Sequence, residues 1–403
     1  MRRPIARLTG AAALMAVAVA ISVTLAPRTI PGEQLPSASQ PAASSSPRAS
    51  SVATQPAAST PVGSQPEGGG GTVRPVALLP VSNAQAAALQ AAVERARTAF
   101  GLGAVSVGVS ADATLGWSGT SGPPRNGVTP LSGTTPFAIA SVTKTFTATV
   151  VLELAEEGRI RLDAEVTDYL PELGAATGVT VAELLRHTSG IADLLAPMRD
   201  RLNAQPTRVW TPAEVLALIG PSQFAPGIDW SYSNTNYVIA GMLVERVTGH
   251  RFADELARRI TDPLELHGTA FPPSIAKGNL LGVSWSSAFW TAAALDSTAV
   301  DLVRWGDALY GGAILQPSSL ALMLDFNTHD YGMGAERYQV AGLTGYGHSG
   351  LLRGFTTLLI HLPSEHLTIA LLATGHAFSP SSLITYAGGG SSILQLAEAI
   401  SPT

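Results

Sequence analysis

Residues 137–172 read FAIASVTKTFTATVVLELAEEGRIRLDAEVTDYLPE and contain an S-x-x-K pattern formed by Ser141 and Lys144. Lysine is scarce in this chain, because only two of its 24 basic residues are lysines. The second, Lys277, also follows a serine by three residues, at Ser274. The pattern alone therefore does not identify a site, and its surroundings must distinguish the two pairs.

The sequence after Ser141 predicts a mostly buried helix. Phe146, Val150 and Leu154 recur at helical spacing, and Gly158 ends the helix. A serine and a lysine three residues apart on the first turn share one face, so the amine can reach the hydroxyl. Burial and the positive end of the helix dipole both lower a lysine pKa, which would make this lysine a base for the serine. A capping serine followed by a solvated lysine gives the same pattern.

The second pair has a different setting. Two prolines precede Ser274, and Gly278 and Asn279 follow Lys277. These residues predict a loop, which would not hold the two side chains in a fixed geometry.

The first fifth of the chain differs in composition from the rest. Residues 1–26 combine the basic start MRRPIAR with an uncharged run from Leu8 to Ala26, which predicts either a cleaved signal peptide or a retained membrane anchor. Both alternatives predict export to the cell envelope or the extracellular space. Residues 27–80 are rich in Pro, Ser, Ala and Gly, and no aromatic residue precedes Phe100, so this stretch is predicted to be a disordered tether.

The overall charge and the cysteine count exclude several functions. A net charge of -5, without a basic run after the leader, argues against nucleic acid as a partner. The chain has no cysteine, and its eight histidines form no close ligand pair. No metal and no cofactor is therefore predicted.

Residues 81–400 are predicted to form one α+β domain. A helix is expected over residues 83–100, strands over 104–110, 113–119, 356–362 and 367–373, and a closing helix over 391–401. Strands at both ends of the domain suggest a single antiparallel sheet, flanked by the terminal helices and interrupted by a largely helical insertion.

Three motifs resemble one known family. Residues 137–172 are similar to the active-site helix of the serine β-lactamase-like superfamily, which includes class C β-lactamases, D-alanyl-D-alanine carboxypeptidases and related esterases. VTVAELLRHTSGI (179–191) follows, as it does in that family. APGIDWSYSNTNYVIAGMLVERVTGH (225–250) resembles the second motif and YGHSGLLRGF (346–355) the third. The resemblance runs from about residue 85 to about residue 398 and implies a β-lactamase/transpeptidase-like fold.

The resemblance implies a catalytic role for four residues. Ser141 would attack the substrate carbonyl, and Lys144 and Tyr232 would share the roles of general base and acid, with the first proton acceptor left open. Asn234 would hydrogen-bond Lys144 and a substrate amide.

The resemblance also implies a substrate-binding edge strand. His348 and Gly350 would contact the substrate along this strand, and the backbone N–H groups of Ser141 and Leu351 would form the oxyanion hole. His187, in LLRHTSG, is assigned to the support of the fold.

The sequence departs from the family in two places. Glu336, with Arg337 beside it, stands where carboxypeptidases of this kind often carry a basic residue, so recognition of a terminal carboxylate is not expected. In WTAAALDSTAVDL (290–302), alanines replace the family's glycine pair.

Three functions follow as hypotheses. The leading one is an exported serine hydrolase that acts through an acyl-enzyme on D-amino-acid peptides or related amides and esters of the cell envelope, in the manner of a D-alanyl-D-alanine carboxypeptidase. A peptidoglycan stem peptide would be such a substrate. The alternatives are a small-ester hydrolase or weak β-lactamase on the same fold, and a non-catalytic module that binds the cell envelope. The chain is expected to be a monomer, with membrane contact only through residues 8–26.

Overall fold

The computed structural model describes residues 79–124, 129–271, 280–377 and 379–400. The predicted leader, nearly all of the predicted tether and the pair Ser274 and Lys277 lie outside the described residues. Within the described residues, no helix is long and apolar enough to cross a membrane.

Nine strands lie in the described residues: β1 (Leu79–Pro80), β2 (Val105–Ala111), β3 (Leu115–Ser121), β4 (Phe137–Ala138), β5 (Asp296–Ser297), β6 (Glu336–Val340), β7 (Leu343–Leu352), β8 (Phe355–Leu362) and β9 (Leu367–Thr374). The α-helices of the same residues are α1 (Asn83–Ala99), α2 (Thr143–Glu156), α3 (Val166–Tyr169), α4 (Val181–Arg186), α5 (Leu195–Ala204), α6 (Pro212–Leu216), α7 (Asn234–Thr248), α8 (Phe252–Leu256), α9 (Val283–Ala293), α10 (Ala299–Tyr310), α11 (Pro317–Met323), α12 (Pro380–Thr385) and α13 (Ile393–Glu398).

Strands from both ends of the domain form one sheet, as predicted. Its order is β1-β3-β2-β9-β8-β7-β6, and every pairing is antiparallel except that of β1 with β3. Leu79 and Pro80, which the sequence analysis placed at the end of the tether, form β1. The α+β class is thereby confirmed.

The terminal helices cover one face of this sheet. Val107 and Val109 of β2 are fully buried in a core that also contains Leu89 of α1 and Ile393 of α13. The alternate positions of β2 face α10, where a side chain on Gly108 would lie 2.6 Å from the carbonyl oxygen of Ala299. Small residues on this side therefore let α10 approach the strand closely.

The other face carries the helical region, whose centre is α2. Eleven of the fourteen residues of α2 are buried. Phe146 stacks on Trp305 of α10 at a centroid distance of 4.3 Å. The predicted buried helix and the largely helical insertion are both confirmed, and the insertion places α2 under the sheet with its first turn near β7.

Candidate active site

Ser141 lies in a tight 3-10 turn, Ala140–Val142, between β4 and α2. Ala140 adopts a φ of 47°, in the left-handed region that residues with a side chain rarely occupy. Ser141 remains partly exposed, whereas Val142 and Thr143 are fully buried. The strained turn thus presents the serine on the edge of an otherwise buried helix.

Three threonines fix α2 against its neighbours. Each one forms a hydrogen bond with a different segment: the Leu295 N–H donates to Thr143 at 3.2 Å, the Trp305 indole donates to Thr145 at 2.9 Å, and Thr147 donates to the Thr291 carbonyl at 2.7 Å. The run of threonines around Lys144 therefore satisfies buried polar groups and holds the lysine backbone in place.

The end of α9 supplies a backbone acceptor to the site. Trp290 interrupts this helix with φ 32° and ψ -117°. The break allows carbonyl groups beyond it to accept hydrogen bonds from α2, and the Ala292 carbonyl accepts from Lys144 Nζ at 2.9 Å. The alanine segment that departs from the family thus contributes through its main chain.

Lys144 is fully buried, and its amine contacts three oxygen atoms. Nζ lies 3.2 Å from Ser141 Oγ, 2.8 Å from Asn234 Oδ1 and 2.9 Å from the Ala292 carbonyl oxygen. Burial lowers the pKa of Lys144 to about 7, against the opposing effect of the carboxylates of Asp193 and Glu336. A large fraction of this lysine is therefore neutral at neutral pH.

The three contacts of Lys144 also suit the neutral amine. The carbonyl oxygens of Asn234 and Ala292 can only accept hydrogen bonds, so a neutral amine donates its two protons to them. Its lone pair is then left for the hydroxyl of Ser141. In this form the hydroxyl donates to the amine, which is the arrangement a general base needs.

Tyr232 completes the group around the serine. Its phenol is hydrogen-bonded to the Ser141 side chain, and its ring centroid lies 4.8 Å from Lys144 Nζ. Burial raises the pKa of Tyr232 well above its usual value, although its hydrogen bond with Ser141 opposes this shift. Tyr232 therefore remains a protonated donor under conditions in which Lys144 is largely neutral.

Asn234 begins α7 and is held by a carboxylate that the sequence analysis did not include. Asp193 Oδ1 accepts from the backbone N–H of Asn234 at 2.6 Å and from its side-chain Nδ2 at 3.0 Å. Asp193 Oδ2 also accepts from the Leu195 N–H at 3.1 Å. Asp193 thereby orients the amide so that its oxygen faces Lys144.

His348 lies on β7 and is almost fully buried. Nδ1 lies 2.6 Å from the Ser349 carbonyl oxygen, and Nε2 lies 3.0 Å from the hydroxyl of Tyr331. Because a carbonyl only accepts, Nδ1 carries the proton and Nε2 accepts from the tyrosine. Burial lowers the pKa of His348, with Glu336 opposing, so the ring is neutral and its two nitrogens are already engaged.

Gly350 allows β7 to contact the turn that carries the serine. A side chain on Gly350 would lie 2.4 Å from the Ile139 carbonyl oxygen. The N–H of Ser349 faces the edge of β7 away from β8, because it donates to the Glu336 side chain at 2.8 Å. Alternate N–H groups of a strand point the same way, so the N–H of Leu351 also faces this edge, as the predicted oxyanion hole requires.

Glu336 and Arg337, at the start of β6, point in different directions. Glu336 pairs with Gly347, and its carboxylate lies 3.7 Å from His348 Nδ1. The guanidinium of Arg337 binds Asp330 through Nε at 2.8 Å and is partly exposed. This register turns the carboxylate toward the site and the cation away from it.

His187 lies beside the site as a buried support. Its ring centroid is 4.4 Å from that of Tyr232 and 4.7 Å from that of Tyr331. Nδ1 accepts from the Ser233 N–H at 3.2 Å.

Two residues of the site, Tyr331 and Asp193, were not predicted from the sequence. For Asp193, the available signal was its position two residues before the start of a helix at Leu195. Among the described residues, no group of His, Asp and Glu could hold a metal ion.

The chain matches the model of a known protein family. Residues 89–386 match the model of the Beta-lactamase family. Penicillin-binding protein 4 from Amycolatopsis lactamdurans is 32% identical over 278 residues, which cover 59% of this chain and 72% of the relative. A D-aminopeptidase from Cereibacter sphaeroides is 28% identical, over 64% of this chain and 55% of the relative. The chain thus spans about half the length of that enzyme.

Solved structures give a consistent result. A D-stereospecific amidohydrolase from Streptomyces sp. superposes with a TM-score of 0.65 at 29% identity, covering 74% of this chain and 97% of the other. A D-amino acid amidase from Ochrobactrum anthropi SV3 superposes with a TM-score of 0.64 at 26% identity, covering 74% and 93%. Both similarities extend over most of the described residues.

Proposed function

Since the chain belongs to the Beta-lactamase family and is a serine hydrolase, we propose that it hydrolyses amide bonds formed by the carboxyl group of a D-amino acid, through an acyl-enzyme on Ser141. The observation that carries the proposal is the buried amine of Lys144, with a lowered pKa, 3.2 Å from Ser141 Oγ. The names of the amidohydrolase, amidase and aminopeptidase relatives support this substrate class.

In the proposed acylation, Lys144 takes the first proton. The Ser141 hydroxyl gives its proton to Nζ as Oγ bonds to the substrate carbonyl carbon, and the carbonyl oxygen becomes an oxyanion between the N–H groups of Ser141 and Leu351. The assignment of the base follows from the pKa values, because the phenol of Tyr232 is a much weaker acid than the ammonium of Lys144. The proposal thus adopts one of the two alternatives that the sequence left open.

Collapse of the intermediate breaks the bond to the leaving nitrogen. The phenol of Tyr232 donates a proton to that nitrogen and recovers one from the ammonium of Lys144. Water then attacks the acyl carbon and gives a proton to Lys144, and the ammonium returns this proton to Ser141 Oγ as the bond between Oγ and the acyl carbon breaks. Asn234 and Asp193 keep the amine in position through both steps.

Hydrolysis of D-phenylalanine amide and L-phenylalanine amide tests the proposal directly. Ammonia release from the D-amide is expected to exceed that from the L-amide by at least a hundredfold and to be absent in Ser141→Ala. Equal rates on both enantiomers would contradict the proposed substrate class. Turnover of an ester or a cephalosporin, without turnover of either amide, would favour the second candidate, an esterase or weak β-lactamase with the same catalytic residues.

The composition of residues 1–26 supports a proposal about location: the enzyme acts outside the cytoplasm, on substrates of the cell envelope. Determination of the amino-terminal sequence after expression in a bacterial host distinguishes a cleaved signal peptide from a retained membrane anchor. The small residues Ala18, Val19 and Ala20 form a candidate cleavage site, so a chain that starts just after Ala20 indicates a cleaved signal peptide. An intact chain in the membrane fraction indicates an anchor, and an intact chain in the cytosol contradicts export.

A further inference from the structure

Glu336 lies at the edge of β7 that faces the site. The pairing of β6 with β7 ends at Glu336 and Gly347, so β7 continues beyond it with this edge unpaired by β6. The carboxylate of Glu336 reaches past the end of the pairing and accepts from the N–H of Ser349 at 2.8 Å and from its hydroxyl at 3.3 Å. The hydroxyl of Tyr338 also donates to this carboxylate. An anion therefore occupies the edge next to the proposed oxyanion hole.

Tyr232, to which the proposed function gives the leaving-group side of the site, is connected to this anion through neighbouring side chains. Tyr232, the proposed proton donor to the leaving nitrogen, has its ring 6.4 Å from the ring of His348 and 6.0 Å from that of Tyr331. Those two side chains share a hydrogen bond, and His348 lies beside Glu336. The leaving group is thus placed between Tyr232 and the part of β7 that Glu336 caps.

No cation within ion-pair distance compensates this carboxylate. Among the described residues, no lysine or arginine forms an ion pair with Glu336; His348 lies 3.7 Å away but is kept neutral by burial, and Lys144 acts on the carboxylate only at longer range. Arg337, the adjacent cation, is bound to Asp330 and also lies over the ring of Phe326. The side chain of Glu336 keeps 24% of its surface exposed, so a bound leaving group can approach it.

We propose that Glu336 is a specificity residue that rejects leaving groups bearing a carboxylate and favours uncharged or cationic ones. The inference rests on the proposed function and adds the charge of the leaving group to it. A carboxylate beside Glu336 would be repelled, and it could not use the N–H or hydroxyl of Ser349, which already donate to Glu336. An amide or ammonium group instead offers donors to the free lone pairs of Glu336.

Three substrates with the same acyl group test the proposal, with the initial rate of D-phenylalanine release as the readout: D-Phe-D-Ala, its C-terminal amide, and D-phenylalanine aminoethylamide, whose leaving group is cationic. For the wild type, kcat/KM of the dipeptide amide is expected to exceed that of the free acid by at least tenfold, about 1.4 kcal/mol, with the aminoethylamide at or above the amide. In Glu336→Gln, which keeps an acceptor for Ser349, the amide-to-acid ratio is expected to fall at least fivefold. Arg337→Gln is the matched control and should leave this ratio unchanged.

The possible results separate the inference from the proposed function. A wild-type preference for the free acid, or a Glu336→Gln variant that changes all three rates by the same factor, contradicts the role of Glu336 but leaves the proposed function intact. A ratio that changes in Arg337→Gln instead would transfer the role to the arginine and also contradict the inference. If the wild type cleaves none of the three substrates, the proposed function itself fails, and the inference fails with it.

Discussion

The pH dependence of acylation tests the state of Lys144. Burial lowers its pKa from 10.5 to about 7, and only the neutral amine can accept the proton of Ser141. Between pH 6 and pH 8 the neutral fraction should therefore rise from about a tenth to about nine tenths. We expect kcat/KM for an uncharged ester substrate to increase about tenfold over this interval and then to remain constant.

The assay uses an ester without titrating groups, so that the pH profile reports the free enzyme. Glu336→Gln provides a directional test, because the carboxylate of Glu336 raises the pKa of Lys144 and its removal should move the inflection to lower pH. A rate that keeps rising tenfold per pH unit up to pH 9 would show that Lys144 has an ordinary pKa and that burial does not make its amine neutral at neutral pH.

The same pKa predicts that the free energy of unfolding depends on pH. Between pH 7 and pH 10.5 the unfolded chain holds a proton on Lys144 that the folded chain has lost, so the free energy of unfolding rises with pH in this window and is independent of this group below it. The full difference corresponds to about 5 kcal/mol. Denaturant unfolding of the wild type and of Lys144→Met at pH 7 and pH 9 should show a rise that the variant lacks; parallel curves would contradict the prediction.

Three substitutions extend these expectations. Ser141→Ala should abolish hydrolysis, because it removes the nucleophile, and should leave Tm within a few degrees, because only one partly exposed oxygen is lost. Ser274→Ala should change neither hydrolysis nor Tm. Residual activity above about a thousandth in Ser141→Ala would exclude Ser141 as the nucleophile. Lys144→Arg should lower kcat by several orders of magnitude in protein that circular dichroism shows to be folded, because a guanidinium with a pKa above about 12 cannot act as a base. Near-normal turnover would transfer that role to Tyr232. Gly350→Ala should lower kcat/KM at least tenfold, because the added side chain would lie 2.4 Å from the Ile139 carbonyl oxygen. Gly174→Ala is the control and should have no effect, because nothing lies within 4 Å of the added side chain. Equal activities of the two variants would show that the close approach of Gly350 to Ile139 is not needed for catalysis.

The assignment of catalytic roles rests on motifs that resemble those of a known family, because the S-x-x-K spacing alone does not distinguish a site. Ser141 lies in the 3-10 turn before α2, Lys144 lies in the first turn of α2, and Asn234 begins α7. The sheet could be predicted because apolar strand patterns lie at both ends of the domain. The helix that begins at Asn83 could also be predicted from the sequence, since Ser82 before it forms a capping box.

The remaining contacts depend on positions that the sequence does not reveal. The acceptor at Ala292 is a main-chain carbonyl released by the helix break at Trp290, and an alanine side chain gives no sign of it. Asp193 reaches Asn234 across 41 residues, and its partner is set by packing. The choice between Glu336 and Arg337 depends on a strand register in which a shift by one residue exchanges the two faces.

Intact-protein mass spectrometry after rapid acid quenching directly tests whether the chain forms an acyl-enzyme on Ser141. With D-phenylalanine methyl ester, we predict a transient mass increase of one phenylalanyl group, located by peptide mapping on the peptide that contains Ser141, which appears before steady state and decays as the substrate is consumed. An adduct on another residue, or turnover of the ester with no covalent intermediate at any quench time while Ser141→Ala retains activity, would contradict the account.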